Sequence, residues 1–107
     1  MPRAKFQTLT EQMFYILLCL KSECCGMDVM ERVREMTAGP VQVGSGTLYN
    51  LLEQFLEAGM ICETGSQGRR KNYQLTDTGR QALQKEVERL EVQMADYRRA
   101  FCEEDAK

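Results

Sequence analysis

Three adjacent cations, Arg69-Arg70-Lys71, form the densest positive point in this 107-residue chain. Gly65 and Gly68 flank the segment that leads into them. Mutually repelling side chains on such a tip are relieved by an opposing anion, and the phosphates of a nucleic acid offer a row of them. A second set of polar residues lies upstream. Thr47, Asn50 and Gln54 fall off the apolar stripe of one short segment, with Ser45 at its start and Tyr49 within it. Asn and Gln pair bidentately with adenine, a threonine methyl packs on a thymine methyl, and a tyrosine hydroxyl donates to phosphate. The Ser45 hydroxyl and the free N–H groups of a helix start hold a phosphate.

The elements that position these groups follow from periodicity. Leu48, Leu51, Leu52, Phe55 and Leu56 repeat at i, i+3, i+4, i+7 and i+8, which predicts a helix from Ser45 or Gly46 to about Ala58. Gly59 suits its C-terminal cap. Met60 to Thr64 and Lys71 to Leu75 read as strands joined by a Gly65-Ser66-Gln67-Gly68 turn, with Tyr73 and Leu75 on the buried face. Upstream, Thr10 caps an apolar helix through about Lys21. Cys24-Cys25-Gly26 reads as a turn into a second helix, Met27 to Met36, which Ala38-Gly39-Pro40 terminates. Val41-Gln42-Val43 is a short extended piece. The expected fold is mainly α with a small β-hairpin: a winged helix-turn-helix over 9–76, preceded by an N-terminal arm over 1–8.

Thr76 and Asp77 open a last helix of about 25 to 29 residues, roughly 40 Å long. Leu83, Val87, Leu90, Met94, Tyr97 and Phe101 are spaced 4, 3, 4, 3 and 4 along it, a heptad stripe. The first 80 residues are too few to cover its far half. A second copy of the chain is the expected cover, so 77–107 reads as a dimerisation helix.

Composition bounds the chemistry. The formal net charge is −2, and residues 81–107, with five Lys/Arg and seven Asp/Glu, carry all of it. No histidine is present, which excludes Ser-His, Cys-His and His-ligated zinc sites. Gly44-Ser45-Gly46 is not a nucleophile elbow, and neither a P-loop nor a G-x-G-x-x-G occurs. No enzyme, cofactor or metal is expected. No apolar run is long enough to span a bilayer, and no apolar run with a small-residue cleavage site follows the polar N-terminus as a leader would have, so the expected setting is the cytoplasm. The odd set Cys19, Cys24, Cys25, Cys62 and Cys102 lacks C-x-x-C spacing and fits reduced thiols there.

The blocks Gly46-Thr47-Leu48-Tyr49, Glu57-Ala58-Gly59-Met60-Ile61 and Arg70-Lys71-Asn72-Tyr73-Gln74-Leu75-Thr76, with Leu9-Thr10-Glu11 and Met30-Glu31-Arg32-Val33 upstream, resemble the PadR family of bacterial transcriptional regulators. The resemblance spans roughly 9–95. It implies a winged helix, a dimer held by the C-terminal helix, as in the small subfamily, and repression through palindromic operators on double-stranded DNA. Cys25 and Met27 flank Gly26 where the family often has tyrosines. Some small members hold flat aromatic compounds between paired tryptophans. This chain has no tryptophan, and Tyr15, Met94 and Tyr97 are the residues expected to line a comparable cavity for a small hydrophobic effector. Two rival readings use the same scaffold: a winged-helix module for protein contact, and a thiol-based metal or redox sensor.

Overall fold

The computed structural model describes residues 8–67 and 70–105. The arm expected over 1–8 therefore lies, Thr8 apart, outside the described residues, and so does Arg69. Four helices and a small antiparallel sheet follow in the order α1 (Glu11–Cys19), β1 (Cys24–Cys25), α2 (Gly26–Met36), α3 (Ser45–Glu57), β2 (Ile61–Gln67), β3 (Arg70–Leu75) and α4 (Asp77–Asp105). This is the expected mainly helical winged-helix architecture with a long final helix.

Local chemistry sets most of the boundaries. The Thr10 hydroxyl accepts from the Met13 N–H at 3.2 Å and starts α1. The helix ends at Cys19, before the expected Lys21, and the Leu20 carbonyl accepts from the Leu75 N–H at 2.8 Å. The end of α1 is thereby tied to the end of β3. α3 closes with a Schellman pair: Gly59 N–H to the Leu56 carbonyl at 3.1 Å and Met60 N–H to the Phe55 carbonyl at 2.9 Å. Gly59 takes φ +75°, as that cap demands. α2 ends with the same bond pattern, but the left-handed residue is Ala38, at φ 58°, rather than a glycine.

Two expectations need correcting. Cys24-Cys25 is not a turn but a two-residue strand, pairing Cys24 with Tyr73 and Cys25 with Asn72. The sheet order is β1-β3-β2, so the segment occupies the open edge of β3. Two residues show no alternation, so only the tertiary pairing reveals the strand. The hairpin is also longer than expected. Gly65, Ser66 and Gln67 continue the ladder opposite Asn72, Lys71 and Arg70, and do not turn. An irregularity between Glu63 and Gly65 takes up the extra residue, and ladder pairing overrides local turn preference.

The core gathers Ile16, Leu17 and Leu20 of the first helical segment, Val29 and Val33 of α2, Leu48, Leu52 and Phe55 of α3, and Tyr73 and Leu75 of β3. Val41 and Val43 are buried in the α2–α3 connection without forming a strand, and the Gln42 carbonyl accepts from Gln12 Nε2 at 2.9 Å. Thr76 caps α4 through its hydroxyl, which accepts from the Gly79 N–H at 3.1 Å and donates to the Gly59 carbonyl at 2.6 Å. α4 then runs for 29 residues. Leu83 is 9% exposed and packs in its own subunit's core, whereas Val87 is already 39% exposed and Tyr97 63%.

Candidate nucleic-acid interface

α3 starts behind Gly44, and no side chain caps that end. Ser45 is exposed at the first helical position, beside N–H groups that helical geometry leaves without intrahelical acceptors. The partial positive charge there suits a phosphate. The apolar stripe of α3 is buried through Leu48, Leu51, Leu52 and Phe55. Thr47 and Asn50 are exposed and Gln54 is half-buried, so these three stand on the accessible side of the helix. Gln54 Nε2 donates to Asn50 Oδ1 at 3.3 Å. A carbonyl oxygen has two lone pairs, so Asn50 keeps an acceptor site and both amide donors for a base edge. The pair orients the two amides together.

On the flank of α3 facing the hairpin, a cleft of about 580 Å³ opens. Tyr49, Leu52, Glu53 and Leu56 line it from α3, Gly26 and Met27 from α2, and Arg70, Lys71 and Tyr73 from β3. Tyr49 and two of the three cations named from sequence thus border one groove, on the shoulder between α3 and the hairpin. The Tyr49 ring lies over Gly26. Burial, then the nearby Glu63, Tyr49 and Glu53, push the Tyr73 hydroxyl above its ordinary 10.0, so it stays a neutral donor.

Sequence reasoning missed the role of one acid beside this groove, Glu63. Lys71 Nζ lies 3.6 Å from Glu63 Oε1 on β2, so an internal carboxylate already answers part of the repulsion that pointed to phosphate. Glu53 is the acid of the cleft lining itself. The signal for Glu63 was available only once pairing was known: it stands opposite Tyr73, which makes Lys71, two positions away on β3, its diagonal neighbour.

The residues assigned to an effector do not meet in one hollow of a single subunit. Met94 and Tyr97 share a recess of about 370 Å³ with Leu90, Gln93 and Arg98. Tyr15 lies in a neighbouring one of about 280 Å³, with Phe14, Glu86 and Arg89. Leu90 borders both. Val87, Leu90, Met94, Tyr97 and Phe101 are exposed along α4, and the Tyr97 and Phe101 rings lie 4.7 Å apart.

Cys62 and Cys102 are exposed, and the other three thiols are shut away from solvent. Cys19, Cys24 and Cys25 are buried, and burial raises Cys19 to about 11 and lifts Cys24 as well. A buried, protonated thiol is a poor nucleophile and ligand. Among the described residues no group of three or more Cys, Asp or Glu is placed to hold a metal ion. No described helix is long and apolar enough to cross a membrane.

Comparison with known proteins agrees with this fold. The model of the transcriptional regulator PadR-like family matches residues 16–85. No curated protein matches the chain. Among solved structures, RosR of H. salinarum is 24% identical, with 94% of this chain and 92% of that one covered and a TM-score of 0.65. A transcriptional regulator from Clostridium thermocellum is 18% identical, covers 83% and 90%, and gives a TM-score of 0.69. A PadR family transcription regulator from Clostridium difficile is 23% identical over 83% of this chain and 97% of that one, with a TM-score of 0.60.

Proposed function

Since the chain belongs to the PadR-like family and is a DNA-binding transcriptional regulator, we propose that it works as a homodimeric repressor of a palindromic operator in the cytoplasm. Residues 9–76 are the DNA-binding unit and 77–107 the dimerisation helix. Thr47, Asn50 and Gln54 read base edges in the major groove, and Ser45 and Tyr49 hold the flanking phosphates. Arg69, Arg70 and Lys71 grip the next stretch of backbone. The observation that carries this reading is the shared groove: Tyr49, Arg70 and Lys71 border one cleft beside the exposed polar face of α3.

Dimerisation is supported by the α4 stripe. Val87, Leu90, Met94, Tyr97 and Phe101 leave one subunit with their apolar surface unburied, and such a stripe finds its cover in an identical helix. Leu83, covered by its own subunit, contributes at most its outer edge. Two-fold symmetry then sets the half-sites about one helical turn apart, or a multiple of it. A small hydrophobic effector bound among Tyr15, Met94 and Tyr97, where the second subunit closes the two recesses around Leu90, shifts the balance between two orientations of the reading heads.

Selection of binding sites from random duplexes, with sedimentation of the free protein, tests the proposal. Two-fold symmetric sites bound by a dimer are expected. L90D with M94D should give monomers. A wild-type monomer that ignores every duplex at low salt overturns it.

A further inference from the structure

Glu86 is the one charged residue buried among the described residues, at 3% exposure. It sits on α4, yet its Oε1 accepts from the backbone N–H of Leu9 at 3.2 Å, a hydrogen bond across 77 positions of sequence. Arg89 holds the same carboxylate through Nε at 3.1 Å and through Nη2, and reaches on to Gln93 Oε1 at 2.7 Å. Leu9 immediately precedes the cap of α1, so the carboxylate joins the start of the first helix to the middle of the last.

The attachments of α4 to the winged helix come in sequence. Thr76 caps it, Gly79 lies against the Met60 carbonyl, Leu83 enters the core, and Glu86 meets Leu9. From Glu91 to Cys102 every side chain is exposed in the single subunit. Glu86 therefore anchors α4 about 14 Å from its start, farther along than Leu83. A distant anchor resists tilt best, and a charge-assisted hydrogen bond is directional where apolar packing is not.

From this we propose that Glu86 is a positioning residue for operator spacing: it sets the angle at which α4 leaves the winged helix, and so the separation of the two reading heads. The inference rests on the homodimer reading above. From Glu86 to Phe101 is a lever of about 22 Å, so a tilt of about 10° moves its end by about 4 Å. One base pair of spacing is about 3.4 Å and roughly 34° of rotation. Small freedom at this joint is thus enough to blur a one-base-pair distinction.

The test uses the full chain. Sites selected by the wild type define the half-site and preferred spacing, and duplexes one base pair longer and shorter are then titrated against wild type, E86Q and E86A. E86A should bind an isolated half-site within about twofold of wild type, remain dimeric by sedimentation, and lose about tenfold of its discrimination between spacings. E86Q keeps an acceptor for Leu9 but loses the ion pair, and should fall between. An unchanged spacing profile, or a parallel loss at every spacing, overturns the proposal. If E86A does not fold, the E86Q profile decides by the same criteria. Selection of lone half-sites by a monomeric wild type would remove the dimer reading itself, a result distinct from dimers whose spacing ignores Glu86.

Discussion

The Tyr49 ring rests directly on Gly26: a β-carbon at position 26 would come within 2.9 Å of the tyrosine Cε1 and hydroxyl. Glycine at the start of α2 lets the ring lie down beside the cleft. A methyl there displaces the flexible end of a side chain, not the backbone. G26A should therefore leave the fold intact and shift the Tyr49 hydroxyl away from the phosphate proposed for it. The expected loss of DNA affinity is about 10- to 150-fold, the worth of about 1.5–3 kcal/mol for one hydrogen bond to a charged group. Titration of a fluorescent duplex with G26A and Y49F checks it; equal losses in both, with no further loss in the double variant, are expected.

Gly79 faces a harder obstacle. A β-carbon at that position would sit 2.1 Å from the Met60 carbonyl oxygen and 2.6 Å from Leu75 Cδ1. Alanine gains about 1 kcal/mol of helix propensity over glycine. Pushing α4 off the hairpin costs about 1–3 kcal/mol for overpacking, and the obstacle here is a backbone carbonyl that cannot swing aside, so the cost outweighs the gain. G79A should thus lower stability in urea denaturation, against the propensity trend.

The Lys71–Glu63 pair competes with any external phosphate for the same ammonium. Both side chains are well exposed, so the pair is worth at most about 1 kcal/mol. E63Q should strengthen DNA binding by up to about fivefold and steepen its salt dependence. Alanine at Arg69, Arg70 and Lys71 should do the reverse, flattening the log–log salt slope by about 0.9 for each phosphate no longer neutralised. Affinities measured across a salt series decide; an unchanged slope in the triple variant takes the hairpin out of the interface.

Glu86 also gives stability a pH signature. Its hydrogen bond from Arg89 holds the carboxyl below its ordinary 4.5, against the opposing effect of burial. An acid with a lowered folded pKa stabilises the fold at all pH above its unfolded value, and that stabilisation fades as pH falls through the folded value. The stability gap between wild type and E86Q should therefore be constant near neutrality and narrow below about pH 4.5. Thermal melts from pH 7 downward measure the gap.

Periodicity made the helices legible. The 3.6-residue repeat in Leu48–Leu56, the Thr10 and Thr76 caps and the glycine at 59 depend on near neighbours, so residues 45–57 and 77–105 could be read within a residue or two of their ends. The Thr47, Asn50 and Gln54 face follows from the same repeat, because the residues opposite a buried stripe must be accessible. The heptad spacing from Val87 to Phe101 likewise announced an apolar seam before any fold was known. What sequence could not decide is whatever depends on distant pairing. Cys24-Cys25 became a strand only because β3 had an edge to fill, and Gly65–Gln67 stayed in the ladder because the irregularity after Glu63 kept it in register. The answer of Glu63 to Lys71, the seat of Tyr49 on Gly26 and the grip of Glu86 on Leu9 likewise join groups remote in the chain. Local pattern carries the energy of caps and amphipathic faces; these long-range pairings exist only after the core has brought the separate segments together.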